Sequence, residues 1–203
     1  MKDIIKHNLF SRIAGIDEVG RGPLAGPVVA CAAVIPDNTR CKLIKDSKLL
    51  TPSARVRAYE YLTEHALSYG IAVVDERKID AINIRNATKQ AMEQALSLLH
   101  YAVDLVLIDG NMEINTNLPQ KTIIDGDRLH PSISSASIIA KIYRDSIMER
   151  YAEQYPEYGF GKHKGYGTKE HIQALLKYGP CPIHRRSFLH KIFSGQHKFG
   201  FSD

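Results

Sequence analysis

An α/β fold with a mixed central sheet flanked by helices, and with a small helical C-terminal part, is the class that the sequence predicts. Two observations lead to it. Apolar, β-branched runs come first, then alternate with helical patterns, and helical patterns alone fill the C-terminal part. The composition, with 203 residues of which 44% are hydrophobic and 24% charged, is that of a globular domain with a sizeable core. We expect one domain over residues 1–203, with the helical part beginning near residue 156.

Short apolar runs that end at turn residues predict the strands. The predicted strands are residues 12–17, 28–35, 71–74, 105–108 and 121–124. Capping residues and apolar side chains at helical spacing predict the helices. The predicted helices start at Thr51-Pro52 and end at Gly70, span residues 84–99 and 134–155, and run from the cap Thr168 to Gly179.

The loop after the first strand has the letters of a dinucleotide-binding fingerprint. Residues 20–25 read Gly-Arg-Gly-Pro-Leu-Ala, but only five residues, two of them prolines, separate Gly22 from the next strand. A parallel crossover needs a dozen or more residues, and the fingerprint needs a helix at this point. The sequence therefore predicts an antiparallel strand pair and excludes a nucleotide cofactor here.

Charge and cysteine content indicate the kind of partner and the compartment. A net charge of +5 and a pI of about 9.0 suit a polyanionic partner. The three cysteines are an odd number and form no Cys-x-x-Cys pair, which favours a reduced, cytoplasmic setting. We expect no signal peptide and no membrane span, because the apolar runs are too short.

Carboxylates follow apolar runs at three places. Asp17 and Glu18 end the first strand, Asp109 ends the run at residues 105–108, and Asp127 lies at another strand end. Any one of them could simply begin a turn. Together they predict a site for a hard divalent cation, because close carboxylates repel each other unless a cation lies between them. Adjacent strand residues point to opposite faces, so Asp17 and Glu18 can share a site only if the strand breaks there.

Several polar residues are candidates for nucleic-acid contacts, each with a plainer alternative. Arg21 between two glycines suits phosphate binding or a hairpin turn. Ser135 suits phosphate or helix capping, and Lys141 suits phosphate or a solvated helix face. Tyr166 follows a basic run, as in junction binders or in a solvated loop. Arg185 also suits a helix end.

These motifs together resemble bacterial ribonuclease HII, the type 2 ribonuclease H family, along nearly the whole chain. The resembling segments, in the family's order, are AGIDEVGRGPLAGPV (14–28), DSKLL (46–50), LIDG (107–110), GD (126–127), ISSASIIAK (133–141), YRD (143–145), HKGY with Thr168 (163–168) and HRRSF (184–188).

The resemblance implies an RNase H-like fold and endonucleolytic cleavage of RNA in an RNA–DNA hybrid, including a lone ribonucleotide within duplex DNA. It implies an acidic site for Mg²⁺ or Mn²⁺ at Asp17, Glu18, Asp109 and Asp127. It further implies that Gly20-Arg21-Gly22 reads the ribose 2′-hydroxyl, that Tyr166 stacks on the neighbouring sugar, and that Ser47 and Lys48 contact phosphate.

Two other functions remain compatible with the residues. One is a catalytically silent nucleic-acid-binding module whose carboxylates are turn residues, and the other is a nuclease of the same fold class directed at DNA. We expect a cytoplasmic monomeric enzyme that takes an RNA–DNA hybrid or a DNA duplex containing ribonucleotides. Turnover with a divalent cation excludes the first alternative, and resistance of an all-DNA duplex excludes the second.

Overall fold

The computed structural model describes residues 12–36, 39 and 50–194. Five strands form one mixed sheet in the order β3–β2–β1–β4–β5. They are β1 (Ile13–Val19), β2 (Val28–Val34), β3 (Ser68–Val74), β4 (Leu105–Asp109) and β5 (Gln120–Ile123). All five predicted strands are therefore confirmed, with ends shifted by up to three residues.

The pairing of β1 explains how the sheet is built. β1 and β2 are antiparallel, with Ala14 opposite Val34 and Val19 opposite Val29, as the short glycine loop predicts. On its other side β1 is parallel to β4, which is parallel to β5. The central strands are apolar and buried because helices cover both faces.

The helices pack on both faces of the sheet and form the C-terminal part. They are α1 (Pro52–His65), α2 (Glu76–Ser97), α3 (Gly126–Leu129), α4 (Pro131–Gln154), α5 (Phe160–His163), α6 (Lys169–Tyr178) and α7 (Arg186–Phe193), with a 3₁₀ turn at Pro156–Tyr158. α2 shares one apolar cluster with β1–β4, and α1 and α4 share another on the opposite face of β2. No helix among the described residues is both long and apolar enough to cross a bilayer.

Two predicted helix boundaries are wrong. α1 ends at His65, and Gly70 lies inside β3. A Cβ at Gly70 would overlap the Ala95 carbonyl oxygen, so this glycine allows α2 to approach the sheet closely and does not end a helix. α4 begins at Pro131, three residues before the predicted Ser134.

The predicted helix at residues 84–99 is the second part of the longer α2. Asn83 interrupts the helical geometry with φ 65° and ψ 163°. Its side-chain oxygen accepts a hydrogen bond from the Asn86 backbone N–H at 3.1 Å, which is the contact of a helix N-cap. The apolar spacing therefore locates the helix after the kink and misses the turns before it.

Candidate active site

Three of the predicted carboxylates line one cavity of about 360 Å³ at the ends of β1 and β4. Asp17 and Glu18 come from β1 and Asp109 is the last residue of β4. The rest of the lining comes from Val19 and from the helices that pack beside these strand ends: Arg55 of α1, and Ser137, Ile138 and Lys141 of α4.

The expected break in β1 is wrong. The antiparallel ladder to β2 continues through Asp17, Glu18 and Val19 without interruption. The parallel pairing of β1 with β4 instead stops at Ile16 opposite Ile108. Asp17 and Glu18 therefore lie beyond the last β1–β4 pair, on a part of β1 that has no parallel neighbour. Their side chains can both reach the cavity there, although they leave opposite faces of the strand.

Asp17 is the most buried carboxylate of the cavity. Its side chain is 6% exposed, and its Oδ1 accepts the Glu18 backbone N–H at 2.7 Å. Burial raises the pKa of Asp17 well above its ordinary value, and the charges of Glu18 and Asp109 raise it further, while a hydrogen bond with Ser137 opposes them. The charged form of Asp17 is thus disfavoured by its surroundings.

Glu18 is also largely buried, but the nearby charge of Arg21 offsets part of the effect of burial. Burial raises the pKa of Glu18, and the Arg21 guanidinium, with Nη1 3.3 Å from Oε1, lowers it. The Arg21 side chain is half exposed, so this ion pair is weak and open to exchange. Arg21 of the glycine loop is therefore connected directly to the cavity.

A hydrogen bond connects Asp109 to the residue before Asp127, but only Asp109 lines the cavity. Asp109 Oδ1 accepts the Gly126 backbone N–H at 2.7 Å, which joins the end of β4 to the start of α3. Asp127 follows in α3, is 1% exposed, and is not part of the cavity lining. The structure thus brings three of the four predicted acids together and leaves Asp127 beside them.

The chemistry of this donor set fits a hard divalent cation. Carboxylate oxygens are the ligands that Mg²⁺ and Mn²⁺ prefer, and a cation would relieve the repulsion that raises the pKa values of Asp17 and Glu18. Within residues 12–36 and 50–194, no three His, Cys, Asp or Glu side chains are already close enough together to hold a metal ion. The acids share a cavity and are not yet a closed coordination shell.

Cationic and hydroxyl groups complete the cavity, and the sequence reasoning missed one of them, Arg55. Lys141 lines the cavity, with Nζ 2.8 Å from Asp145 Oδ1 one turn away. Arg55 also lines the cavity, and its Nη2 donates to the Leu50 carbonyl oxygen at 3.1 Å. Arg55 belongs to an ordinary helical pattern, so only the packing of α1 beside α4 reveals it.

Ser137, rather than Ser135, faces the carboxylates. Ser135 is fully buried and its hydroxyl donates to the Pro131 carbonyl oxygen at 2.8 Å, one turn back in α4. Ser137 lines the cavity and hydrogen-bonds with Asp17. This placement does not support the predicted contact of Ser135 with substrate, because its hydroxyl donates inside the helix.

Arg185 holds the glycine loop from beneath and is not available to a ligand. Its side chain is fully buried and donates to the carbonyl oxygens of Gly20 at 2.6 Å, Arg21 at 2.9 Å and Gly26 at 2.9 Å. Burial and the nearby Arg144 charge lower the pKa of Arg185. All three of its nitrogens serve the loop, so this placement does not support the predicted contact of Arg185 with substrate.

Arg144 is a second buried arginine on the same loop, and the sequence reasoning gave it no role. It donates to the carbonyl oxygens of Pro27 at 2.9 Å, Ala25 at 3.3 Å and Lys164 at 3.0 Å. Gly20, at φ +94°, has no room for a Cβ because the Arg144 side chain lies against it. The loop backbone is thus fixed by two guanidinium groups and not by its own side chains.

Tyr166 lies beside the glycine loop, as predicted. Its ring is 42% exposed, and a Cβ on Gly22 would lie 3.7 Å from its Cε1. The Arg144 Cζ lies 6.0 Å from the ring centroid. Gly20, Arg21, Gly22 and Tyr166 therefore form one surface next to the carboxylates. The remaining predicted residues, Ser47 and Lys48, lie outside the described residues.

A larger cavity of about 470 Å³ lies elsewhere, between the start of α2 and the segment before α7. Its lining includes Glu76 and Asp80. Asp80 accepts the backbone N–H groups of Arg186 and Ser187, so it caps α7. This cavity has one carboxylate to offer and lies apart from the strand ends, so we place the active site at the smaller cavity.

Comparisons with known proteins point to one family. The family model described as "Ribonuclease HII" matches residues 14–191. A ribonuclease HII of Ruminiclostridium cellulolyticum is 52% identical over 180 residues, which cover 89% of this chain and 71% of that protein.

Solved structures have the same fold. The ribonuclease H2 of Pyrococcus horikoshii OT3 superposes with a TM-score of 0.76 at 26% identity, covering 92% of this chain and 99% of that one. The ribonuclease HII of Archaeoglobus fulgidus, solved in a complex with PCNA, gives a TM-score of 0.73 at 26% identity, covering 86% and 94%.

Proposed function

The chain belongs to the ribonuclease HII family of hydrolytic nucleases, which act on RNA–DNA hybrids, and we propose that it also cuts 5′ to single ribonucleotides embedded in duplex DNA. One observation carries the proposal. The cavity that holds Asp17, Glu18 and Asp109 adjoins the surface formed by the Gly20–Gly22 loop and Tyr166. Cleavage chemistry and recognition of one sugar can therefore act on adjacent atoms of the substrate.

The family is dependent on divalent cations, and we assign their binding to Asp17, Glu18, Asp109 and Asp127. Held by these carboxylates, two Mg²⁺ or Mn²⁺ ions would supply Lewis acidity at the phosphate and would favour deprotonation of the attacking water. Water attacks the phosphorus in line, the bond to the preceding 3′ oxygen breaks, and the products carry 3′-hydroxyl and 5′-phosphate ends. Ser137 keeps the buried Asp17 carboxylate oriented toward the cavity.

Basic side chains around the cavity hold the phosphodiester backbone. Lys141 and Arg55 line the cavity, and Arg21 extends from the loop with half of its side chain exposed. Their charges offset the repulsion between a polyanion and the acidic cavity. We also assign phosphate contacts to Ser47 and Lys48, as the resemblance implies.

The fixed loop reads the ribose. RNA differs from DNA at this point by one hydroxyl group, which both donates and accepts hydrogen bonds. Gly20, Arg21 and Gly22 present backbone N–H and C=O groups whose positions Arg185 holds through two carbonyl oxygens. A site built around a hydroxyl rejects the analogue without it by roughly 10⁴-fold, because its polar groups are left unpaired.

Tyr166 then stacks on the sugar next to the ribonucleotide. The test compares wild type and Tyr166→Ala on a duplex with one ribonucleotide and on a long RNA–DNA hybrid, at one salt concentration. We expect the variant to lose more on the single-ribonucleotide duplex, because other ribose contacts remain in the hybrid. Tyr178→Ala is the matched control, since Tyr178 is exposed on α6 and does not adjoin the loop. Equal proportional losses would restrict Tyr166 to stabilising its own segment.

Mapping the cut position on the single-ribonucleotide duplex tests the reaction itself. We expect one cut, 5′ to the ribonucleotide, that requires Mg²⁺ or Mn²⁺ and leaves a 5′-phosphate. Binding without turnover at any metal concentration would support the silent binding module, and cleavage of an all-DNA duplex would support the DNA-directed nuclease. We also propose that the chain acts as a cytoplasmic monomer, which gel filtration and fractionation test.

A further inference from the structure

Two buried histidines connect the backbone of Tyr166 to the segment before α7. The Cys181 backbone N–H donates to Nδ1 of His184 at 3.0 Å. Nε2 of His184 lies 3.0 Å from Nε2 of His171 in α6, and Nδ1 of His171 lies 2.8 Å from the Tyr166 carbonyl oxygen. We call this continuous set of hydrogen bonds, from Cys181 through His184 and His171 to Tyr166, the histidine chain.

The two ends of the histidine chain fix the protons in it. A backbone N–H only donates, so Nδ1 of His184 accepts and its proton is on Nε2. A carbonyl oxygen only accepts, so the proton of His171 is on Nδ1 and its Nε2 accepts from His184. Each ring is neutral with one defined tautomer, and every hydrogen bond has one donor and one acceptor.

The surroundings of the histidine chain favour the neutral rings. His171 and His184 are 0% and 3% exposed. The His163 ring stacks on His171 with centroids 4.4 Å apart, and the Tyr158 ring contacts His184 edge-on at 5.0 Å. Burial lowers the pKa of both His171 and His184 to about 4.

The segment that carries Tyr166 needs support from outside itself. The two residues before it, Lys164 and Gly165, both have positive φ, at 50° and 85°. A non-glycine residue in the left-handed region carries backbone strain that surrounding contacts must offset. The Tyr166 ring is 42% exposed, so packing holds its backbone less than hydrogen bonds do. The Tyr166 N–H donates to the His163 carbonyl oxygen at 2.9 Å, and the Tyr166 carbonyl oxygen accepts from the Thr168 N–H at 2.8 Å as well as from His171.

We propose that His171 and His184 are positioning residues for ribonucleotide recognition: the histidine chain fixes the Tyr166 backbone and so aims its ring at the sugar beside the scissile phosphate. The inference rests on the role proposed above for Tyr166. Neither histidine touches substrate. Each acts through the next group in the histidine chain.

Two substitutions of His171 separate positioning from packing. The side-chain amide of His171→Asn lies near the original Nδ1 and can still donate to the Tyr166 carbonyl, whereas that of His171→Gln lies near Nε2 and cannot. We expect His171→Gln to lower cleavage at a single ribonucleotide relative to a long hybrid by about tenfold, and His171→Asn to restore most of that ratio. His65→Gln is the matched control, because exposed His65 makes the same Nδ1 contact, at 2.9 Å to the Tyr61 carbonyl, on α1. A purely structural role would lower both rates equally and would overturn the proposal.

A double-mutant comparison distinguishes this inference from the proposed role of Tyr166. In a Tyr166→Ala background we expect His171→Gln to leave the substrate ratio unchanged, because both act through one ring. If Tyr166→Ala alone leaves the ratio unchanged, the role proposed for Tyr166 fails. If Tyr166→Ala changes the ratio and His171→Gln does not, the positioning inference alone fails.

Nitrogen-15 NMR of the histidine rings in the wild-type protein tests the proton arrangement whatever the variants do. We expect an Nε2–H tautomer for His184 and an Nδ1–H tautomer for His171, both persisting from pH 8 to pH 5.5. The opposite tautomer at either ring, or protonation of either ring near its ordinary pKa, would overturn the histidine chain even if the variants fail to fold.

Discussion

The carboxylate cavity and the buried basic cluster beside it differ in whether their buried polar groups have favourable partners. In the cavity, Asp17 and Glu18 are like charges that burial and mutual repulsion push toward the neutral form. The buried basic cluster, which we define as Arg144, Arg185, His171 and His184, is equally removed from water. Its two guanidinium groups donate to six carbonyl oxygens, and every nitrogen of its histidines has a hydrogen-bond partner.

We therefore assign the chemistry to the carboxylate cavity and the positioning of the substrate-recognition residues to the buried basic cluster. Unfavourable charge at the cavity is relieved only when a cation binds, so it is retained for chemistry and lowers the stability of the fold. The buried basic cluster is satisfied in advance, and it holds the recognition loop and Tyr166 in one arrangement before substrate arrives. Substitutions in the two regions should therefore separate activity from stability.

The largest effect should come from removing a charge in the cavity. We expect Asp17→Asn and Asp109→Asn to lower turnover at saturating Mg²⁺ by at least about 10³-fold, or about 4 kcal/mol, because a ligand charge is lost with little change in shape. The same Asp17→Asn should raise the unfolding temperature, since a buried, repelled charge is removed. Glu60→Gln, exposed on α1, is the control. Wild-type-like turnover in either variant would remove these acids from the metal site.

Removing a cation from the buried basic cluster should act on stability instead. We expect Arg185→Met to lower the free energy of unfolding by about 3–5 kcal/mol, because the buried carbonyl oxygens of Gly20, Arg21 and Gly26 lose their donors. Urea unfolding measures this, with the exposed neighbour Arg186→Met as the control. A loss below about 1 kcal/mol would mean that water satisfies the loop equally well.

Acid should weaken the buried basic cluster through its histidines. The pKa of His171 and His184 falls from 6.5 in the unfolded chain to about 4 in the native one, so the unfolded chain binds more protons between these values. Stability is therefore lost as the pH falls through this window, by about 2 kcal/mol per histidine at pH 5. The raised pKa of Asp17 acts in the opposite direction, because the native state binds that proton more tightly.

Unfolding at pH 7 and pH 5 in an Asp17→Asn background removes the opposing contribution of Asp17. His184→Gln in the same background should reduce the difference between the two pH values. An identical pH dependence with and without His184 would show that the acid response arises elsewhere in the chain.

The smallest effect concerns the phosphate contacts around the cavity. We expect Lys141→Gln to reduce the slope of log K against log salt by about one unit, because one fewer counterion is released from the duplex. Lys48→Gln should do the same if it contacts phosphate as the sequence predicts. Lys78→Gln, exposed on α2, should leave the slope unchanged. An unchanged slope for Lys141→Gln would mean that Lys141 does not contact phosphate and only forms its ion pair with Asp145.

What the sequence predicts well are features with a local physical cause. The short proline-containing loop requires an antiparallel β1–β2 pair, and the apolar runs that lead to Asp17 and Asp109 bring both carboxylates to one cavity near the ends of β1 and β4. The sequence does not show that β1 continues through Glu18 while its β4 edge is open, because the open edge depends on where the pairing with β4 stops.

The buried basic cluster was missed for a different reason. Arg144 and Arg185 contact loop residues more than a hundred positions away, and such a pairing leaves no spacing signal in one sequence. His171 lies on the buried face of α6 with Ile172 and Leu175, where the pattern indicates an ordinary apolar stripe. Arg185 and Ser135, which the sequence predicts to contact substrate, both donate to backbone carbonyl oxygens instead, because a polar residue in a motif can serve the backbone as readily as a ligand.

The long-range contact of Arg185 with the recognition loop also bears on when that loop can become ordered during folding. It joins residue 185 to residue 20, across 165 positions of the chain. During synthesis the recognition loop therefore stays unsecured until residue 185 has left the ribosome. Closing so long a loop is costly and slow, so this contact forms after local structure. A chain cut before residue 185 would thus carry its acidic residues without the contacts that hold the loop, and it should not select a substrate.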